Sequence, residues 1–355
     1  MSRTSLADQV LPKRFRDELD RILNQHNQKN HSLVRVIPSD SSRKTRRERR
    51  GNLNRIFAEL HQLGYRLESP KHLKPKHVQA LCSHWLGKGL APKTIHGLFS
   101  NLRAFCRWIG KDGMIGDIGV YAGGREHLKR TTAATKDLSW EARGIDVDAF
   151  IEKAEQLDSR LALMLQFQRF FGLRAKEAME IRPWRATALG ADHLYVTDGT
   201  KGGRHRMIPI RNDHQRAIIE AAKQLVGERL NAQLRWPDTT WRQAQSHFYY
   251  LMRQLGATGE QLGITAHGLR HGYLQDEYQR YACVPAPVKK AGILPVDRAT
   301  HQKAMLAVSL QAGHFRTQAT GMYCGSLGHK LRPVKNDSKN QSDNKPEGDS
   351  NEEAA

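Results

Sequence analysis

The sequence predicts a mainly α-helical protein of two folded units with one small β-hairpin. Apolar residues recur at helical spacing through most of the chain. Two short strand-like runs, 194–197 and 206–210, flank a glycine-rich segment at 199–203. A glycine-rich, charged stretch at about 113–145 separates two helical regions, and 355 residues suffice for two cores of ordinary size.

The first unit is predicted to be a helical bundle over residues 43–112, preceded by a basic, polar arm at 1–42. Its first helix carries apolar residues at helical spacing. They are Leu53, Ile56, Phe57, Leu60 and Leu63. A second helix is predicted over about 77–86. A third begins at Pro92, a residue that suits the first helical position, and its apolar stripe ends before Gly110.

Residues 113–145 are predicted to form a linker, and residues 146–331 a second unit that is helical apart from the hairpin. From residue 332 to the last residue, 355, polar and charged residues replace nearly every apolar one. Such a segment cannot bury enough surface to offset its ordering entropy, so we expect the tail at 332–355 to be disordered.

The charge balance predicts a polyanionic partner. Lys and Arg outnumber Asp and Glu by 57 to 36, which gives a formal net charge of +21. Nucleic acid is the first candidate partner and a membrane surface the second. No segment approaches the roughly 20 apolar residues of a spanning helix, and the first residues lack an apolar signal core. We therefore expect a soluble, cytoplasmic protein without a membrane partner.

The four cysteines contain no Cys-x-x-Cys pair, which argues against a zinc knuckle or a redox motif. Cys82 and Cys106 sit among apolar neighbours and are predicted to fill the core. Cys324 directly follows a candidate nucleophile, Tyr323, so a reactive thiol there stays an alternative.

Six polar residues in the second half indicate phosphoryl transfer with a tyrosine nucleophile. In chain order they are Arg174, Lys201, His267, Arg270, His314 and Tyr323. Cleaving a phosphodiester without a metal requires a nucleophile, stabilisation of charge on the non-bridging oxygens, and a proton for the leaving oxygen. Tyr323 supplies the nucleophile, and Arg174 and Arg270 supply planar forks that match phosphate oxygens.

The other three residues complete this chemistry. Lys201, at the predicted hairpin tip, can act as general acid toward the departing 5′ oxygen. His267 and His314 can hydrogen-bond a phosphate oxygen, and one of them can take the tyrosine proton. The set needs no cofactor, no metal and no nucleotide.

Four motifs carry a family resemblance over about residues 45–330. They are Gly172-Leu173-Arg174 with Glu177, Thr200-Lys201-Gly202, His267-Gly268-Leu269-Arg270, and Gly313-His314 followed nine positions later by Tyr323. In these motifs and their order the chain resembles the tyrosine recombinases, the phage-integrase family of DNA strand-exchange enzymes. The resemblance implies that all six polar residues are catalytic and that Glu177 supports the site.

The resemblance also implies a fold and an activity. It implies an N-terminal helical core-binding (SAM-like) domain and an α+β catalytic domain that together form a C-shaped DNA clamp. The implied enzyme is a site-specific recombinase or integrase that cleaves and rejoins double-stranded DNA through a 3′-phosphotyrosyl intermediate, independently of metal and ATP. The implied assembly is a homotetramer on two DNA sites, aided by an accessory DNA-bending protein and associated with the nucleoid.

Two rival functions stay open. A type IB topoisomerase shares the chemistry but relaxes supercoils as a monomer. A non-catalytic DNA-binding scaffold would keep the fold without the reaction. Concerted exchange between two DNA sites would separate the first rival, and an unchanged Tyr323→Phe variant would favour the second.

Several residue assignments also keep alternatives. The 44 positions between Arg270 and His314 indicate an insertion within 279–303, where Tyr278 and Tyr281 are rival nucleophiles nearby. His267 and His271 have the i, i+4 spacing of a helical zinc pair, although no third ligand accompanies them. Arg204 or Arg206 is an alternative to Lys201 as general acid.

Basic residues on predicted surfaces are expected to contact DNA phosphates, because phosphate contacts supply most of the electrostatic affinity for DNA. The predicted DNA-binding residues are Arg46, Arg47, Arg50, Lys93 and Arg204.

Overall fold

The computed structural model describes residues 6–28, 40–130, 132–289, 294–314 and 317–327. The chain divides into two compact units, unit 1 at Met1–Thr131 and unit 2 at Thr132–Ala355. The predicted tail at 332–355 lies outside the described residues. Among the helices of the described ranges, none has the length and apolar character needed to cross a bilayer.

In its described part, unit 1 contains helices and no β-strand. Its α-helices are α1 (Leu6–Val10), α2 (Lys13–His26), α3 (Arg43–Gln62), α4 (Pro75–Gly87), α5 (Pro92–Trp108) and α6 (Ile118–Tyr121). The Ser42 side chain accepts a hydrogen bond from the backbone N–H of Thr45 and so caps α3, while Pro92 opens α5. The three helices predicted within 43–112 are confirmed as α3, α4 and α5.

Aromatic rings fill the core of unit 1. Phe57 of α3 packs edge-on against Phe105 of α5 with 5.2 Å between ring centroids, and Phe99 meets Trp85 of α4 at 5.7 Å. Cys82 and Cys106 are buried in the same core, as predicted, and burial raises the pKa of both thiols. These helices form a bundle around one hydrophobic centre.

The prediction of a polar arm at 1–42 is wrong for residues 6–26, which form α1 and α2. Helix α2 buries Phe15, Leu19, Ile22 and Leu23 in the core of unit 1. These four residues recur at i, i+4, i+7 and i+8, which is one face of a helix. The charged residues between them lie on the opposite face and gave the segment its polar composition. Residues 29–39 lie outside the described residues.

Unit 2 has nine α-helices and one two-stranded sheet in its described part. The helices are α7 (Val147–Leu157), α8 (Ser159–Phe170), α9 (Ala175–Glu180), α10 (Pro183–Ala186), α11 (Asp213–Val226), α12 (Trp241–Gln254), α13 (His267–Ala282), α14 (Arg298–Gln311) and α15 (Thr317–Cys324). The strands are β1 (His193–Val196) and β2 (Arg206–Pro209), which pair antiparallel with His193 opposite Pro209. The predicted β-hairpin is thereby confirmed.

The segment predicted as a linker, 113–145, is largely folded. Helix α6 places Ile118 in the core of unit 1, whereas Trp140 is fully buried in the core of unit 2. The division of the chain after Thr131 falls between them. Elements this short and rich in glycine do not show apolar residues at helical spacing. Their composition therefore indicated a linker.

Helix α13 is buried along most of its length although it is rich in polar residues. Arg270 and Gln275 are fully buried, and His271 nearly so. Buried polar groups are costly unless they are hydrogen-bonded, so the sequence of α13 requires partners from the surrounding elements. These partners define the site.

An insertion is predicted within residues 279–303, and the helix bounds show which of these residues connect α13 to α14. Residues 279–282 complete the last turn of α13, and 298–303 begin α14. The connecting segment therefore comprises residues 283–297, of which 290–293 lie outside the described residues.

Candidate active site

The turn before α9 brings Arg174 into the site. Gly172 has φ +61°, and a Cβ at this position would lie 2.3 Å from Cδ1 of Tyr273. Only glycine meets both requirements, the left-handed backbone and the close approach of the α13 side chain. Leu173 is then buried and Arg174 caps α9 with its backbone N–H bonded to Glu177 Oε2 at 2.7 Å.

Glu177 is the centre of a buried ionic network. Its carboxylate has no exposed surface and accepts two bonds from Arg206, at 2.9 Å from Nη1 and 2.7 Å from Nη2. Nη1 of Arg174 donates to Oε1 at 2.6 Å. Glu177 thus fixes two guanidinium groups, one of them in a bidentate pair.

Arg270 completes the network from α13. It donates to the carbonyl of Gly172 and, from Nη2, to the carbonyl of Ala312 at 2.6 Å. Arg174 Nη2 donates to that same Ala312 carbonyl at 3.3 Å, and Nη1 of Arg270 lies 3.9 Å from Glu177 Oε2. One backbone carbonyl at the end of α14 therefore holds both arginines side by side.

The network carries surplus positive charge. Burial opposes ionisation of Glu177, but the charges of Arg206, Arg174 and Arg270 outweigh it and lower the pKa of this carboxyl to about 2. Burial, then repulsion by Arg174, lowers the pKa of Arg270 to about 10, so it stays charged at neutral pH. Three guanidinium groups thus face one carboxylate, which favours an anionic ligand.

Tyr323 of α15 lies against this charge. Its ring is 5.5 Å from Cζ of Arg270, and its hydroxyl is 3.2 Å from Nε2 of His267. The His314 ring stacks on it at 5.6 Å, and the His271 ring lies at 4.6 Å. The phenol therefore has one imidazole in hydrogen-bond reach and two more against its ring.

The histidines are held in their neutral form. Burial, followed by the charges of Arg270 and Arg174, lowers the pKa of His314 to about 3. Burial, followed by the neighbouring His271 and Arg270, also lowers the pKa of His267, although the residue as a whole is exposed. His314 Nε2 lies 3.3 Å from Arg174 Nη2, a donor, so this nitrogen accepts. A neutral His267 can likewise accept the proton of Tyr323.

The structure brings together five of the six predicted catalytic residues with Glu177. They are Arg174, His267, Arg270, His314 and Tyr323. Lys201 is the exception. It lies exposed in the turn between β1 and β2 and shows no contact with the other five within the described part of the chain.

Arg206 is predicted from the sequence only as an alternative to Lys201, and the structure gives it a different place. Its side chain is buried and both terminal nitrogens bond Glu177, so it cannot serve at the hairpin tip. Alternation along β2 contains the signal, because Arg206 and Ile208 are both buried whereas Met207 is exposed. His271 is buried against Tyr323, and no group of metal-binding side chains occurs among the described residues.

The rival nucleophiles occupy other environments. Tyr278 is fully buried with its hydroxyl 2.7 Å from Nδ1 of His301, and burial raises its pKa to about 12. Tyr281 bonds Gln311 at 3.0 Å. Burial raises the pKa of the Cys324 thiol, whose Sγ donates to the Leu274 carbonyl, which argues against a reactive thiolate.

The predicted DNA-binding residues differ in availability. Arg47 and Lys93 are exposed, whereas Arg46 and Arg204 are half-buried. Arg50 bonds Asp20 and, at 2.5 Å, Asn24 of α2. Arg50 is therefore tied to the segment that composition had assigned to a free arm.

Two models of known protein families match the chain, one mainly in unit 1 and one mainly in unit 2. Residues 28–115 match the model of the phage integrase N-terminal domain, and residues 131–276 match the integrase model. The two matches cover about two thirds of the chain. Both matched domains are those of integrases, and the chain belongs to the phage-integrase family of tyrosine recombinases.

Solved structures show the same fold at low identity. A lambda integrase dimer bound to a COC′ core site is 17% identical with a TM-score of 0.53, over 90% of this chain and 98% of that one. A lambda integrase tetramer bound to a Holliday junction is 17% identical with a TM-score of 0.51, over 85% and 77%. XerH recombinase bound to a palindromic difH substrate is 16% identical with a TM-score of 0.52, over 81% and 80%. No curated protein matches the sequence.

Proposed function

We propose that this protein is a site-specific DNA recombinase that cleaves and rejoins DNA through a 3′-phosphotyrosyl intermediate. One observation carries the proposal: the Tyr323 hydroxyl is within hydrogen-bond reach of neutral His267 while its ring lies over Arg270, inside a network with surplus positive charge. A nucleophile with an adjacent base and preorganised cations is what phosphoryl transfer requires.

The proposed cleavage step begins at the Tyr323 hydroxyl. The Tyr323 oxygen attacks phosphorus and passes its proton to His267 Nε2. The bond from phosphorus to the 5′ oxygen breaks, and Lys201 protonates that oxygen. Rejoining reverses the step with a 5′ hydroxyl as nucleophile, so the bond energy is kept and no ATP is needed. The residues require no metal for any of these transfers.

Phosphate binding requires a movement of the Tyr323 ring. Arg270 has no exposed surface, and the ring of Tyr323 covers its guanidinium. Its Nε is buried and lacks a partner among the described residues, which leaves a donor for a phosphate oxygen. The scissile phosphate would therefore enter between ring and guanidinium, with Arg174 beside it and His314 as a further hydrogen-bond partner.

Lys201 would reach the leaving oxygen from the hairpin. It is exposed, and the glycines that follow it have φ values of +74° and +67°, a conformation suited to a pliable turn. Lys201 is separated from the other five residues in this structure. We therefore propose that it meets them only when DNA is bound.

The proposed assembly is a homotetramer on two double-stranded DNA sites, with unit 1 as the core-binding domain and unit 2 as the catalytic domain. The lambda integrase dimer and tetramer on DNA, which share the fold, support it. The net charge of +21 supports DNA as the partner. We include nucleoid association and an accessory DNA-bending protein in the proposal.

The test is covalent capture of DNA. Cells expressing wild-type protein or Tyr323→Phe are denatured, and DNA that stays attached to protein is sequenced. We expect a discrete site enriched only with the wild type, which would also identify the target. Tyr278→Phe is the matched control. It also removes one tyrosine hydroxyl from unit 2, from a buried residue of α13, the helix that carries His267.

Three outcomes would redirect the proposal. Capture that persists in Tyr323→Phe would place the nucleophile elsewhere. Absence of covalent DNA from both proteins, in cells that contain the target, would favour a non-catalytic DNA-binding scaffold. Relaxation of supercoils by a monomer without exchange between two sites would favour the topoisomerase alternative.

A further inference from the structure

The helix that carries Tyr323 ends in an unusual set of contacts. Helix α15 has eight residues, and the last carbonyls of any helix lack partners within it. Here the Gly321 carbonyl accepts from the backbone N–H of Ala134 at 2.7 Å, and the Cys324 carbonyl accepts from that of Val288 at 2.9 Å. The Tyr323 carbonyl accepts from the side chain of Gln275 at 3.2 Å.

The three donors come from three separate parts of unit 2. Ala134 precedes the first helix of the unit, Gln275 lies within α13, and Val288 belongs to the segment that connects α13 to α14. A short helix gains little from its own hydrogen bonds, so such external donors decide where it rests.

Gln275 is oriented by a second acceptor. Its Nε2 also donates to Asp137 Oδ1 at 2.8 Å, and that oxygen accepts from the backbone N–H of Ser139. Burial opposes ionisation of Asp137, but these hydrogen bonds outweigh it and lower its pKa. A carboxylate and a carbonyl are both acceptors, so only the amide nitrogen can face them. Gln275 is fully buried, and this fixes its side chain.

The connecting segment reaches α15 because residue 325 is a glycine. Gly325 has φ +83°, and a Cβ there would lie 2.9 Å from the backbone nitrogen of Val288. Lys289 Nζ lies 3.5 Å from Asp276 of α13, and Asp276 also bonds Arg169 at 2.8 Å. The segment is thus tied to α13 on one side and to α15 on the other.

We propose that Ala134, Gln275 and Val288 form a three-point clamp that holds α15 with the Tyr323 hydroxyl against His267, and that Gln275 is its positioning residue. The inference rests on the proposed function of Tyr323. It matters for the rate because a displacement of about 1 Å in a reacting group can cost about a hundredfold. Gln275 touches the nucleophile's backbone and not the reacting atoms.

The test compares Gln275→Met with Gln168→Met. Gln168 is the matched control because it is also fully buried in unit 2 and its Nε2 also donates to a carbonyl, that of Met164 in its own helix. Loss of one hydrogen bond of typical strength corresponds to about a tenfold change. We expect single-turnover cleavage of a nicked DNA substrate to slow by about this factor in Gln275→Met and to stay within about twofold of wild type in Gln168→Met.

Two further readouts separate positioning from general damage. DNA affinity should be equal in wild type and Gln275→Met, because the clamp holds the nucleophile and not the duplex. Amide hydrogens of 321–325 should exchange faster in Gln275→Met while those of α8 and α13 keep their rates. The exchange readout needs no catalysis, so it tests the clamp even if the proposed reaction fails.

A double variant provides the decisive contrast. In Asp137→Asn with Gln275→Glu the donor and acceptor are exchanged, which restores their mutual bond but leaves the Tyr323 carbonyl without a donor. We expect its thermal stability to recover relative to Gln275→Glu alone while cleavage stays slow. Recovery of cleavage with stability, or wild-type cleavage and exchange in Gln275→Met, would overturn the clamp. Wild type that forms no covalent DNA would overturn the proposed function instead.

Discussion

Each unit contains a buried glutamate, and the two differ in role. Glu59 in unit 1 stabilises the structure, whereas Glu177 in unit 2 belongs to the candidate active site. Glu59 in α3 accepts from Trp85 Nε1 at 2.9 Å and pairs with Arg55 at 3.0 Å and Lys88 at 3.6 Å. Those two cations are 44% and 47% exposed, so water shares their charge. Around Glu177, the side chains of Arg206 and Arg270 are 3% and 0% exposed.

The difference lies in the balance of buried charge. In unit 1 the half-exposed cations beside Glu59 need no further partner, because solvent screens them. In unit 2 one carboxylate faces three guanidinium groups, of which two are buried and that of Arg174 is 22% exposed. This leaves an excess of about two positive charges that an anion can offset. Surplus buried charge is therefore the feature that distinguishes the candidate site from an ordinary structural ion pair.

The largest expected effect comes from neutralising each glutamate. Glu177→Gln leaves three guanidinium groups without a counter-charge, and we expect a loss of about 3–5 kcal/mol in the free energy of unfolding. Glu59→Gln keeps an acceptor for Trp85 and exposes no buried cation, so we expect about 1 kcal/mol. Urea unfolding of both variants measures the contrast. Equal losses would contradict the distinction between balanced and surplus charge.

The second effect concerns the arginine fork. Arg270→Lys keeps the charge but cannot hold the carbonyls of Gly172 and Ala312 while it meets a phosphate. We expect cleavage to fall by about 10²–10³, the range for removing one donor that stabilises transition-state charge. Arg206→Lys is the control, because Arg206 contacts Glu177 and not the ring of Tyr323. Equal loss of cleavage in the two variants, at equal stability, would show that Arg270 acts only through the network.

The sequence predicted the members of this site better than their arrangement. The order and spacing of Arg174, His267, Arg270, His314 and Tyr323 carried the chemistry, and the structure brings these five together. The role of Arg206 was missed because an arginine by itself indicates charge, and only its alternation with Ile208 along β2 places it on the buried face. That Arg270 lies wholly beneath the tyrosine ring also depends on packing between α13 and α15, which no local pattern encodes. Helix α2 is a different case, because the spacing of its apolar residues is present in the sequence but its charged composition indicated a polar arm.

Lys201 provides a test with an exposed charged residue, in contrast to the buried charges around Glu177. Lys201→Ala should slow cleavage about a hundredfold, the lower part of the range for general acid catalysis. A substrate with a 5′ thiol leaving group should restore most of the rate, because sulfur leaves without protonation. Arg204→Ala tests the alternative general acid and should respond equally to both substrates. Rescue by the thiol in Arg204→Ala but not in Lys201→Ala would reassign the role.

A smaller effect is expected from pH. The pKa of His314 is lowered to about 3 in the folded protein, below its ordinary value of 6.5. The unfolded chain therefore binds more protons below about pH 6.5, and stability falls as the pH decreases from there toward the folded pKa. His314→Gln should flatten the change in unfolding free energy between about pH 7 and pH 5. Urea unfolding at each pH measures this change in unfolding free energy. An unaltered slope in His314→Gln would argue that its imidazole is not held neutral.

The smallest effect separates two arginines one helical turn apart on α3. Arg47 is exposed, whereas Arg50 is already engaged by Asp20 and Asn24 and must release them to meet a phosphate. Each phosphate contact contributes about 0.9 to the slope of log affinity against log salt, so Arg47→Ala should reduce the slope by about one. Arg50→Ala should reduce it by less, because the counter-charge of Asp20 is freed at the same time. Binding titrations at several salt concentrations measure both slopes. A larger reduction of the salt slope in Arg50→Ala than in Arg47→Ala would mean that DNA breaks the ion pair between Arg50 and Asp20. Even an ion pair with balanced charge in unit 1 would then contribute a phosphate contact when DNA binds.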